Sequence, residues 1–151
     1  MEDFEKELQA VVDEFTRTKE KIKQKQKKEK LASDQKMKTF QQIVSNVIHP
    51  IMLECRDFIS KKGEVSRIES TGLGDIIFEI QGKTLQRGVH MASITFSLDT
   101  FSSGKIKIVQ KLEYQTVSEE FCEENLLTKD YVRGKLVEIV KKFYDECLKY
   151  V

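Results

Sequence analysis

The stretch FQQIVSNVIHPIMLECRDFISKKGEVSRIE, residues 40–69, decides the fold because its hydrophobic period changes partway along it. Before Gly63 the apolar residues recur at the three- and four-residue spacing of a helix, and after Gly63 the spacing is two, as in a strand. On an ideal helix, one apolar stripe contains Phe40, Val44, Val47, Ile51 and Phe58. We predict a kink at Pro50, because proline removes a backbone hydrogen bond and its ring clashes with the carbonyl four residues earlier.

The same stripe extends toward the N-terminus. Its upstream members are Phe4, Leu8, Val11, Phe15 and Ile22. They share the phase of Phe40, because Phe4 lies 36 residues, or about ten turns, before it. Residues 1–49 contain neither Gly nor Pro, so one continuous helix from about residue 3 to Lys62 is predicted, and the segment LASDQ (31–35) is the place for a break if there is one.

The remainder of the chain predicts a sheet followed by a helix. Alternating apolar residues indicate strands in EVSRIES (64–70), DIIFEIQ (75–81), ASITFSLD (92–99) and KIKIVQKLEY (105–114). The acidic segment SEEFCEENLL (118–127) is interpreted as a loop or short helix. Helical spacing resumes in DYVRGKLVEIVKKFYDECLKYV (130–151), with Thr128 or Asp130 as the predicted N-cap. The apolar residues that recur at this spacing are Val132, Leu136, Ile139, Val140, Phe143, Cys147 and Leu148. We therefore expect an α+β two-layer domain at residues 37–151, with an antiparallel meander of about four strands and the C-terminal helix packed on it, and a charged helical arm at residues 1–36.

Composition limits the functional classes. The 26 basic and 25 acidic residues leave a net charge of +1, so no global field attracts the chain to nucleic acid or to an anionic membrane. No apolar run approaches the roughly 18 residues of a membrane-spanning helix, and the start MEDFEKELQ lacks the pattern of a signal peptide. Three widely spaced cysteines and two histidines indicate neither disulfides nor a zinc site. The expected compartment is the cytoplasm, with no cofactor, no metal and no membrane association.

The sequence contains no enzyme signature, and we expect a protein without catalytic activity. His90, in GVHMAS, could act as a general base, but it has no sequence partner and is more simply a structural or solvent-facing histidine. The carboxylates of residues 118–125 lack the spacing of a calcium loop, so they are interpreted as a solvated acidic patch. A small-ligand site between the sheet and the helices, near His90, remains an alternative.

The lysine-rich segment of residues 17–38 suggests nucleic-acid binding. One flank of the helix carries Lys19, Lys23, Lys27 and Lys30, and the far flank carries Arg17, Lys21, Lys25 and Lys28. Many cations on one helix can neutralise phosphates, but aromatic residues for base stacking are absent between Phe15 and Phe40. Non-specific binding through the first flank is therefore an alternative function, and solvated flanks beside a contact seam are the preferred interpretation.

Charge segregation along the arm favours self-association. Residues 1–16 carry a net charge of −5 and residues 17–38 carry +7. If two copies pair antiparallel about Asp13, Phe4 lies level with Ile22, and Val11 lies level with Phe15. The same register brings Asp3 toward Lys23, Glu5 toward Lys21, and Glu7 toward Lys19. The expected partner is therefore a second copy or another helical protein, which binds in a coiled-coil manner through Phe4, Leu8, Val11, Phe15 and Ile22. Fold-back of the arm onto its own domain is the other alternative.

The opening stretch also resembles small uncharacterised bacterial α+β proteins. The shared features are an amphipathic helix with an internal VI.P pattern, a glycine at its end, and strands that follow. The resemblance covers about 30 residues and implies no activity.

Overall fold

The computed structural model describes residues 2–71, 74–99 and 104–151. These residues form, in chain order, a long helical region, five β-strands and a C-terminal helix. The predicted α+β class, with a long N-terminal helix and a C-terminal helix packed on an antiparallel sheet, is confirmed. The chain divides into two compact units, residues 1–36 and 37–151.

The N-terminal helical region has three consecutive parts. They are α1 (Glu2–Ile43), a π-helical segment (Val44–Ile48) and α2 (His49–Lys61). Residues 31–35 are helical, so this region has no break there. The region ends where predicted, because Gly63 adopts a φ of +94°, which L-residues with a side chain rarely adopt.

The π-helical segment accommodates Pro50 in the helical region. The backbone N–H of His49 donates to the carbonyl of Val44, five residues earlier, instead of four as in an α-helix. Pro50 then lies in the first turn of α2, where proline is tolerated. The helix therefore widens by one residue just before the proline.

This extra residue moves the buried face of the helix. An α-helix advances about 100° per residue, so one inserted residue rotates all later side chains by that angle. Between Phe40 and the end of α2, the buried side chains are Ile48, Ile51, Met52 and Ile59, so the predicted Ile51 is confirmed in the buried face. The prediction that Phe58 shares the buried stripe is wrong, since it is 59% exposed and its ring lies under the Lys62 ammonium.

The sheet is an antiparallel meander in which each strand pairs with the next along the chain. Its strands are β1 (Val65–Glu69), β2 (Asp75–Thr84), β3 (Gly88–Leu98), β4 (Ile106–Leu112) and β5 (Gln115–Cys122). A short 3₁₀-helix at Glu124–Leu126 leads to α3 (Lys129–Leu148). The predicted Thr128 cap is confirmed, because its hydroxyl accepts a hydrogen bond from the Tyr131 backbone N–H at 3.2 Å.

The hydrophobic core lies on one face of the sheet, between the strands and the helices α2 and α3. Alternate residues of the central strands point into it, including Phe78, Phe96 and Ile108. On α3 the buried residues are Val132, Leu136, Ile139 and Phe143. The predicted member Leu148 is exposed, so the core ends before the last turn of α3.

The fifth strand corrects the interpretation of the acidic segment. Residues 118–122 belong to β5, and only Glu124–Leu126 forms a short helix. The alternation of β5 is inverted, because Val117 and Phe121 are exposed whereas Cys122 is buried. An edge strand needs little apolar burial, and this inversion explains why the pattern did not predict a strand.

The turn before β5 corrects a second prediction. Tyr114, expected in the buried row of the preceding strand, is exposed in the two-residue turn that joins β4 and β5. Glu113 and Tyr114 have φ values of +51° and +68°. Such values are typical of type I′ hairpin turns, where Asn and Gly are common and Glu-Tyr is not.

Within the described residues, no helix is long and apolar enough to cross a membrane.

Candidate functional site

The apolar stripe of the arm is exposed along α1. Its members are Phe4, Leu8, Val11, Phe15 and Ile22, and between 51% and 66% of each is accessible to solvent. Val12, which is not a member of the predicted stripe, is 54% exposed beside them. Large apolar side chains that recur on one face of an otherwise charged helix are typical of an interface.

A shallow groove lies along the downstream part of the stripe. It has a volume of about 300 Å³ and is lined by Phe15, Thr18, Lys19, Ile22, Lys23 and Gln26. Its apolar lining residues are Phe15 and Ile22, and Lys19 and Lys23 lie on one flank of the helix beside them. A side chain from a neighbouring helix would therefore meet an apolar hole with a cationic edge.

The charged side chains of the arm form no ion pair within the described part of a single chain. None of the lysines from Lys19 to Lys38 lies within ion-pair distance of a carboxylate there. The polar contacts of the arm are local, such as the hydrogen bond of 3.0 Å from the Gln9 amide to the Asp13 carboxylate. The arm thus presents both an apolar stripe and charges that a partner could neutralise.

His90 is buried in the other unit. Its side chain is 1% exposed, with Nδ1 at 2.9 Å from a Glu113 carboxylate oxygen and Nε2 at 2.7 Å from the Thr84 hydroxyl. The ring of Tyr150 lies over it with 5.1 Å between ring centroids. A carboxylate–imidazole–hydroxyl order also occurs in hydrolase triads. We interpret this chain of hydrogen bonds as a structural link, because the imidazole is buried and covered by Tyr150.

A cavity of about 310 Å³ lies beside this link. Thr84, Glu64, Tyr144, Cys147 and Val151 are among its lining residues. The Tyr144 hydroxyl donates to the Glu64 carboxylate at 2.9 Å, and burial together with this hydrogen bond raises the pKa of Tyr144 to about 12. The polar groups at this cavity therefore bond to one another, which leaves few of them directed at a ligand.

A larger apolar groove lies between α2 and α3. Its volume is about 550 Å³, and its apolar lining residues include the exposed Phe58 and Val137. Arg133 and Glu54 form an ion pair of 3.7 Å on its edge. The shift of phase at the π-helical segment is what places Phe58 on this outer surface.

The acidic segment does not form a cation site. Glu119, Glu120 and Glu123 each pair with a lysine: Lys107 at 3.3 Å, Lys135 at 2.7 Å and Lys105 at 3.8 Å. No group of residues suited to a metal ion occurs in the described ranges. These carboxylates instead connect β5 to β4 and α3.

The three cysteines are free, and burial suppresses their reactivity. Desolvation raises the pKa of the Cys55 thiol to about 11 and raises those of Cys122 and Cys147 as well. Because the thiolate is the nucleophile, none of the three has the low pKa of a reactive thiol.

Protein-family models, curated proteins and solved structures give no match to this chain. The resemblance to small bacterial proteins therefore stays a prediction.

Proposed function

We propose that this protein self-associates through its arm, by antiparallel pairing of the segments around Asp13. The observation that supports this proposal best is the exposed stripe on α1, which offers five large apolar side chains along about five turns. Burying such a stripe against a second copy would remove it from water, and antiparallel pairing would bring its two ends together.

The charges fit the same register, but the pairs expected from level positions alone need correction. Asp3 and Lys23, Glu5 and Lys21, and Glu7 and Lys19 lie on opposite flanks of the helix. In an antiparallel pair, the two-fold axis brings like flanks together. On one flank, Glu5 would lie midway between the partner's Lys19 and Lys23, about 3 Å along the axis from each. On the other flank, Asp3 would lie midway between Lys21 and Lys25.

Glu7 would repeat this stagger on the second flank, midway between Arg17 and Lys21. Three acids on two flanks thus find bases in the register about Asp13. A shift by two residues in either direction would still place each acid level with a base on the same flank, so the charges favour the antiparallel direction. The apolar stripe favours the register about Asp13, because there Phe4 lies level with Ile22 and Val11 with Phe15.

The proposed role is binding, without catalysis, in the cytoplasm. His90 supports this inference because its imidazole is buried beneath the ring of Tyr150. The three free cysteines suit a reducing compartment. A helix of another protein could occupy the same stripe, and the experiment below distinguishes this alternative from self-association.

The test is the mass of the full chain and of two matched variants by light scattering. Val11→Asp/Phe15→Asp should convert a dimer to a monomer, because a charge within the seam loses the apolar contact and is itself desolvated. Phe58→Asp/Val137→Asp makes the same chemical change at side chains of similar exposure on the other unit and should remain dimeric.

A monomeric full chain would exclude self-association and leave a foreign helix as the partner. A dimer that only the control variant disrupts would move the interface to the groove between α2 and α3. Circular dichroism should show that both variants retain their folded domain.

A further inference from the structure

Lys27, Lys28 and Lys30, which cluster within about one turn of the arm, remain without a partner in the proposed pair. The acids between Glu2 and Glu14 would lie level with residues 12–24 of the other copy, so they would not reach Lys27, Lys28 or Lys30. These three lysines are exposed and lack an ion-pair partner in the described single chain. The paired arm would thus retain a concentrated positive charge on each side of the seam.

The lysines lie on two sides of the helix, which suits a groove that is bordered by negative charge on both edges. Relative to the centre of the stripe, Lys27 and Lys30 lie about 130° and 70° to one side, and Lys28 lies about 130° to the other. Gln24 and Leu31 lie between these rows, on the face opposite the seam. Glu29, the acid between these lysines, lies on the seam side, and Asp34 lies one turn beyond Lys30 on the side of Lys27 and Lys30.

The major groove of B-form DNA has matching dimensions. It is about 12 Å wide and admits one α-helix, and α1 is a continuous helix through this segment. A helix placed there with the face of Gln24 and Leu31 toward the bases would direct Lys27 and Lys28 toward opposite phosphate backbones.

The residue types decide between kinds of anionic partner. Residues 24–36 contain only Leu31 and Ala32 as apolar residues, which is too little for insertion into a membrane surface. The major groove of duplex RNA is too deep and narrow for side chains to read. Because lysine makes point contacts with phosphate and the segment contains no arginine or aromatic residue, recognition of base sequence is not expected.

We propose that Lys27, Lys28 and Lys30 of the paired arm bind the phosphate backbones of duplex DNA from within the major groove, without sequence preference. This inference rests on the proposed antiparallel pairing, which assigns Lys19, Lys21 and Lys23 to the partner's acids. It thereby separates the lysines of one segment into two functional sets.

The experiment compares two triple variants with the same change of charge. Lys27→Gln/Lys28→Gln/Lys30→Gln should remain dimeric and bind a duplex of about 20 base pairs more than about tenfold more weakly than the original chain at low salt. The slope of log binding constant against log salt should fall by about 2.7, since each lost phosphate contact removes about 0.9. Lys19→Gln/Lys21→Gln/Lys23→Gln should instead weaken the dimer in light scattering.

The outcomes separate the two proposals. A dimeric chain that does not bind duplex DNA at low salt, or whose distal triple variant binds as the original does, overturns DNA binding and leaves self-association in place. A monomeric original chain overturns the pairing and, with it, the division of the lysines. Equal binding to duplex RNA or to phosphatidylserine vesicles would overturn the major-groove geometry, because positive charge by itself would then explain the binding.

Discussion

His90 shows how one buried polar residue can connect distant parts of a sheet. It lies on β3, and its two hydrogen bonds reach Thr84 at the end of β2 and Glu113 in the turn between β4 and β5. The Glu113 carboxylate also accepts from the backbone N–H of Met91 at 3.4 Å. A carboxylate with two donors can hold a left-handed backbone that glycine would otherwise favour, which explains why Glu113 is tolerated at this turn.

The stability of the domain should depend on this link. His90→Leu removes both hydrogen bonds and leaves the partly buried Glu113 carboxylate without its imidazole donor, so the free energy of unfolding should fall by about 2–4 kcal/mol. Thr84→Val removes only one of the two bonds and should cost about 1 kcal/mol. Urea unfolding at a fixed protein concentration measures both. A His90→Leu midpoint equal to that of the original chain would show that the link contributes nothing.

At the scale of elements, the direction of the paired arms is the decisive property. A parallel pair would place the acids of residues 1–16 beside the same acids of the partner and the bases of residues 17–38 beside the same bases. Like charges at matching positions repel, whereas the antiparallel register pairs opposite charges. In the proposed pair, electrostatics would therefore select the orientation, and the apolar stripe would contribute most of the attraction.

Single cysteines can report this orientation. Leu8 and Thr18 lie level with one another in the antiparallel register. A mixture of Leu8→Cys and Thr18→Cys chains should form a mixed disulfide under mild oxidation, and each variant alone should form little. The three native cysteines should contribute little cross-linking, since burial raises the pKa values of their thiols. Efficient cross-linking of Leu8→Cys with itself would instead indicate a parallel pair.

For the whole molecule, the buried core belongs to one unit. Its first member is Phe40, and its remaining members extend to Phe143 within residues 37–151. The arm contributes no buried side chain to this core. Folding of the domain should therefore be independent of the arm, whereas assembly should depend on it.

Removal of residues 1–36 tests this division. The shortened chain should unfold cooperatively with a melting temperature close to that of the Val11→Asp/Phe15→Asp variant, because both lack the pairing and retain the core. Its mass by light scattering should be that of a monomer. A shortened chain that is unfolded would show that the arm stabilises the domain, and one that is still dimeric would place the interface outside the arm.

Much of this protein was determined by local sequence pattern alone. The long helix, its end at Gly63, the Thr128 cap and the inward rows of β2, β3 and β4 all follow from periodicity and capping. These features are local, because helix and strand periods, glycine conformations and caps depend on residues a few positions apart. The exposed stripe of the arm was visible for the same reason.

Only the tertiary structure decided the remainder. The π-helical segment transferred the buried stripe from Phe58 to Ile59, and an edge strand with an inverted pattern formed from QTVSEEFC, residues 115–122. The partners of His90 come from positions 6 and 23 residues away. Such outcomes depend on contacts between residues distant in sequence, where the energy of packing and of satisfied buried polar groups exceeds that of local propensity.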